Sequence, residues 1–142
     1  MKDTGIKKFD STEWSGNGEL WLDPAGNDVS LYPCTMRISA NNISYAWDHE
    51  GELKEGRIEL SDPESTWTDS WHQRDTVTCS NVKNPRSLFT IEYSYAGGSG
   101  EHWGWRINMS SRPDESIVLQ MTNIAPWGEE GRAVRMVFLR TS

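Results

Sequence analysis

The sequence predicts an all-β fold: a closed antiparallel up-and-down β-barrel of about ten strands. Three observations predict it. Short runs of alternating apolar and polar residues recur along the whole chain, explicit turn chemistry separates them, and no stretch carries the periodicity of an amphipathic helix. A meander of that many strands would leave two unpaired edges, and closure removes both.

Taken in order, strands are expected over residues 13–22, 29–40, 43–50, 52–60, 66–72, 76–82, 88–96, 102–111, 116–124 and 132–140. Asp23-Pro24-Ala25-Gly26, Asp62-Pro63-Glu64-Ser65 and Arg112-Pro113-Asp114-Glu115 carry proline early in a tight turn, where its fixed φ helps. Asn41-Asn42, Glu50-Gly51, Gly97-Gly98-Ser99-Gly100 and Pro126-Trp127-Gly128 supply residues that tolerate positive φ. No linker, repeat or low-complexity tract divides the chain, so residues 9–142 form one domain and residues 1–8 are expected to fray.

Alternation assigns the faces. Trp14, Gly16, Gly18, Leu20 and Leu22 point inward, as do Tyr45, Trp47 and His49. Phe89, Ile91, Tyr93 and Tyr95 follow, then Trp103, Trp105, Ile107 and Met109, then Ile117, Leu119, Met121 and Asn123. In the last strand Val134, Met136, Phe138 and Arg140 compete with Ala133, Arg135, Val137 and Leu139; the first set carries more bulk and is placed inside. Gly16 and Gly18 mark a bend where the barrel coils, or clearance for a ligand.

At 142 residues the chain can bury a real core without disulfide or metal support. Its apolar area is concentrated in eight Trp, four Tyr and three Phe, which suit strands and ligand pockets alike. A formal charge of −7 argues against nucleic acid as partner, and no basic stripe interleaves with aromatics. The apolar runs are too short for a membrane span, and Met1 to Asp10 lacks a secretory h-region. The expected setting is therefore the cytoplasm, with Cys34 and Cys79 as reduced thiols.

Several segments together resemble an uncharacterised bacterial family with lipocalin-like (calycin) barrels. They are Trp14-Ser15-Gly16-Asn17-Gly18-Glu19-Leu20 followed by Asp23-Pro24, then Trp67-Thr68-Asp69-Ser70-Trp71-His72, Trp103-Gly104-Trp105-Arg106, Met121-Thr122-Asn123-Ile124 and Gly128-Glu129-Glu130. The resemblance implies a closed antiparallel barrel and assigns no reaction. It also implies an end-plug in which Trp14 packs beneath Arg140 as a cation–π pair, with Thr12 standing where lipocalins have the glycine of Gly-x-Trp.

The chemistry centres on Asp69. In a strand it lies on the same face as Trp67 and Trp71, and a carboxylate between two indoles must have a partner or face a polar hollow. It is a candidate general base or ligand anchor, beside the plainer reading of a structural hydrogen bond or ion pair. His49, inward beside the Glu50-Gly51 turn, is the second acid/base candidate, while alternation sends His72 outward unless a bulge re-aims it. The three histidines lack metal-ligand spacing, no nucleophile elbow is present, and the glycine loop at 97–100 has no phosphate-loop lysine, so neither metal nor cofactor is expected. The expectation is a binder of a small apolar or aromatic molecule, walled by Tyr45, Trp47, Trp71, Tyr93, Tyr95, Trp103, Trp105 and Met121 and oriented by Asp69 and Asn123. A cofactor-free isomerase or cyclase using Asp69, and a filled barrel serving as a structural or interaction module, are the alternatives.

Overall fold

The computed structural model describes residues 5–21, 29–70 and 72–142. Ten strands form one closed antiparallel sheet: β1 (Thr12–Trp21), β2 (Val29–Ser39), β3 (Asn42–His49), β4 (Glu52–Glu59), β5 (Glu64–Asp69), β6 (Gln73–Asn81), β7 (Phe89–Ala96), β8 (His102–Ser111), β9 (Ile117–Ile124) and β10 (Glu130–Arg140). Each strand pairs with its neighbour in the chain, and β10 returns to β1 with Trp14 opposite Arg140 and Leu20 opposite Val134. Leu22, the 23–26 turn and residues 1–4 lie outside the described residues.

Burial follows the alternation. On β2 the inward residues Tyr32, Cys34, Met36 and Ile38 are buried and those between them exposed, and on β10 Val134, Met136 and Phe138 are buried while Arg140 is not. The bulkier set of the last strand does face the core. A register shift between Arg132 and Val134 also buries Ala133, which a simple period of two would not.

Turn chemistry sets the register. Glu50 and Gly51 both adopt positive φ (53° and 80°), the pairing a two-residue hairpin of right-handed strands requires. In the β2–β3 hairpin Ser39 pairs with Asn42, so the loop is Ala40–Asn41 and the positive φ falls on Ala40 (53°) rather than on Asn41-Asn42.

One end of the barrel is sealed. Gly5–Phe9 form a 3-10 helix that drops Ile6, fully buried, into the core. Burying such a side chain stabilises the fold by about 2–3 kcal/mol. Gly5–Phe9 thus carry regular structure anchored by Ile6. Phe9 meets Trp14 edge to face at 5.6 Å, the Trp14 indole N–H donates to Thr12 Oγ1 (2.8 Å), and the Thr12 hydroxyl donates to the Phe9 carbonyl (2.5 Å). Arg140 stands opposite Trp14 in register, but its side chain is exposed and its Nε donates to the Ser142 carbonyl. The plug over Trp14 is thus Phe9 and Thr12, not an arginine cation; among the described residues the cation over a ring is Lys8 above Phe9.

The inward glycines seat rings and strands. A methyl group on Gly18 would overlap the Tyr32 ring, one on Gly56 the Tyr45 ring, and one on Gly16 the Val137 carbonyl. Gly16 fits the expected tight coiling of β1 against β10. Gly18 gives clearance, but to the protein's own tyrosine.

Candidate functional site

The other end of the barrel, where among the described residues the connections at 50–51, 97–101 and 125–129 lie, gathers Asp69, His72, Gln73 and Asn123. Asp69 ends β5 and is 1% exposed. Its Oδ2 accepts the Tyr45 hydroxyl at 2.5 Å, and the Tyr45 oxygen in turn accepts the Trp67 indole N–H at 2.9 Å. Its Oδ1 accepts the His72 backbone N–H at 3.0 Å and lies 3.3 Å from His72 Nδ1. A carboxylate with this many partners is satisfied within the fold. Burial, with Asp69 beside it, pushes the Tyr45 hydroxyl far above its ordinary value of 10.0.

His72 corrects the outward assignment. β5 stops at Asp69 and its pairing with β6 shifts between Trp67 and Asp69, so parity is lost before residue 72. The imidazole turns inward, 5.1 Å from the Trp105 ring and 6.2 Å from the Trp47 ring, with 13% of its side chain exposed. Asp69's histidine is His72. His49 stands half-buried at the β3–β4 turn, in register opposite Glu52.

The remaining residues expected at the site divide by depth. Tyr45, Trp47, Trp105 and Met121 are buried. Tyr45 stacks on Trp47 at 5.9 Å and Trp67 on Trp105 at 5.6 Å. Those rings fill the middle of the barrel. Tyr93, Tyr95, Trp103 and Asn123 are half-buried, at the ends of β7, β8 and β9 away from the Gly5–Phe9 helix. There the Tyr95 hydroxyl donates to Asn123 Oδ1 (2.6 Å) and the Tyr93 hydroxyl to Gln73 Oε1 (2.8 Å). Trp71 lies outside the described residues.

Three inward groups escaped the sequence reading. Lys54 is opposite Trp47 in register, hence on the inward face, and its Nζ meets Glu52 Oε1 at 2.9 Å. Gln73 follows the register shift, and Tyr32 sits on a strand whose Leu31 could equally have faced in. Strict alternation along β2 and β4 would have signalled Tyr32 and Lys54.

The wall itself has a weak seam. β6 and β7 pair at two positions only, Ser80 with Glu92 and Asn81 with Ile91, whereas β7 and β8 pair at eight, from Phe89–Met109 to Ala96–His102. Toward the mouth the two strands are linked by the Tyr93–Gln73 hydrogen bond. A separate concavity of about 1020 Å³ lies against the outer wall, where Glu13, Arg37, Glu55, Arg57 and Arg74 present mixed charge.

Among the described residues no group of three His, Cys, Asp or Glu side chains could hold a metal ion, and no helix is long and apolar enough to cross a membrane. No protein-family model matches the chain, and comparison with curated proteins finds no significant match.

Proposed function

We propose that this barrel binds a small, largely apolar or aromatic molecule at the end opposite Ile6. The observation that carries the reading is the division of the inward aromatics. One end is sealed by Ile6 and the middle is packed by stacked rings, but Tyr93, Tyr95 and Trp103 keep partly open faces beside two polar side chains, Gln73 and Asn123. Apolar walls with a few placed polar groups are the composition of a ligand site. The site is the mouth, with Tyr45, Trp47 and Asp69 as its floor.

Closed ten-strand topology and the Trp14-Ser15-Gly16 opening of β1 support placing the chain with lipocalin-like (calycin) barrels. A net charge of −7 supports a partner other than nucleic acid, and two buried free thiols suit the cytoplasm. Cofactor-free acid/base catalysis is a second reading, favoured by the Asp69–His72 pair. Asp69→Asn separates the two: a binder keeps its ligand, a catalyst loses turnover.

The test is a tryptophan-fluorescence and thermal-shift screen of aromatic compounds against the wild type, Tyr95→Ala and Trp103→Ala. Binding to the wild type that weakens about tenfold or more in the variants supports the mouth site. No binder across the screen, or binders indifferent to both substitutions, contradicts it.

A further inference from the structure

Among the described residues, three hydrogen-bond donors near the Asp69 network are buried without a partner: the Tyr32 hydroxyl and the indole N–H groups of Trp47 and Trp105. Their residues are 4%, 2% and 7% exposed. Native folds leave few such groups, and each orphan carries the full cost of its desolvation. Three in one connected set of rings call for an explanation. Tyr32 lies 6.0 Å from Trp47, and Trp47 and Trp105 flank His72 at 6.2 and 5.1 Å.

We propose that these donors form the inner recognition site for an acceptor oxygen on an uncharged, planar ligand, a ketone, quinone, lactone or ester. The proposal rests on the ligand-binding reading above and names the ligand class. Its reasons are chemical. All three groups are neutral and can donate, and both indoles can donate only. Their surroundings are aromatic faces, which suit a flat molecule. Burial above all, with smaller contributions from Cys34 and Asp69, keeps the Tyr32 hydroxyl protonated and a donor, and an anionic ligand oxygen would lose its hydration among these rings at a cost a carbonyl does not bear.

A route to this site follows the ring contacts. From Trp105 the stack runs to Trp67 at 5.6 Å and on to Tyr93 at 5.8 Å, and Tyr93 stands at the sparsely paired seam between β6 and β7. Because the donor atoms are sealed in the packed form, the ligand must part these rings, and the seam is the stretch of wall with fewest backbone bonds to resist it.

The test uses three probes of one ring system: methyl naphthyl ketone, ethylnaphthalene, which has no acceptor, and naphthoate, which is anionic. Calorimetric or fluorescence titration of the full chain should give an affinity for the ketone about tenfold or more above the other two. Tyr32→Phe removes only an unpartnered oxygen, so the free variant should melt no lower than the wild type, yet lose the ketone preference. Trp47→Phe is the independent second variant, with the same expected loss of preference. Equal affinity for all three probes, tightest binding of naphthoate, or a ketone preference that survives both substitutions would overturn the donor site while leaving an aromatic mouth intact. Binding of none of the three, in a chain that also fails the aromatic screen, would overturn both.

Discussion

The Tyr45 hydroxyl donates to Asp69 Oδ2 across 2.5 Å with both residues buried, and the same oxygen accepts the Trp67 indole N–H at 2.9 Å. Three side chains from β3 and β5 are thereby fixed at the centre of the barrel, with β4 between them. Tyr45→Phe keeps the ring and removes one donor and one acceptor. It should destabilise the protein by about 2–3 kcal/mol in urea unfolding, since it strips a buried carboxylate of a charge-assisted bond. A loss under about 0.5 kcal/mol would mean the bond contributes nothing to the fold.

Alkaline pH should unfold the barrel. Burial pushes the Cys34 thiol from 9.0 up to about 12, Cys79 to about 11 and the Tyr93 hydroxyl from 10.0 to about 12, and also raises Tyr32 and Tyr45. Each group holds its proton more tightly folded than unfolded, so its contribution is complete below the unfolded value and is lost as pH rises through the folded one. Stability should be flat up to about pH 9 and fall progressively between pH 9 and 12. Denaturant midpoints taken across that range check it; constant midpoints to pH 11 would contradict the burial of these groups.

Gly56→Ala should be costly and Gly98→Ala nearly silent. An added methyl at 56 overlaps the Tyr45 ring, the partner of Asp69, whereas nothing lies within 4 Å of one at 98. Overpacking of this kind costs about 1–3 kcal/mol. Thermal melts of both variants give the comparison, and equal melting temperatures would refute the seating of Tyr45 against β4.

The seam between β6 and β7 should be visible in hydrogen exchange. With ladder pairing at Ser80–Glu92 and Asn81–Ile91 alone, the amides of residues 74–78 that face β7 have no strand partner, while β1 and β2 pair from Thr12–Ile38 to Trp21–Val29. Exchange in alternate amides of 74–78 should outrun that in β1 by orders of magnitude. Uniform protection around the barrel would show a closed wall.

How far the sequence carries depends on where alternation holds. Trp14, Leu20, Ile107, Met109 and Phe138 were legible as core because a period of two runs through the stretches that hold them. His72 was not: β5 ends at Asp69, the β5–β6 register slips, and parity counted from Trp67 no longer applies. Ile6 was equally hidden, since a single isoleucine among lysines has no periodic signal, and its burial is decided by tertiary packing at the sealed end. Asp69 announced itself chemically, as a carboxylate flanked by indoles, but alternation could not say that its partners would be Tyr45 on β3 and His72 beyond the strand.

A native mass spectrum of the protein purified without denaturation decides whether the barrel is a binder, because an end lined by Tyr93, Tyr95 and Trp103 should retain a small molecule. A discrete added mass is expected on the wild-type chain, or on the chain after incubation with an aromatic ketone, and is lost in Tyr95→Ala. The bare chain mass in every sample, with or without ketone, would contradict it.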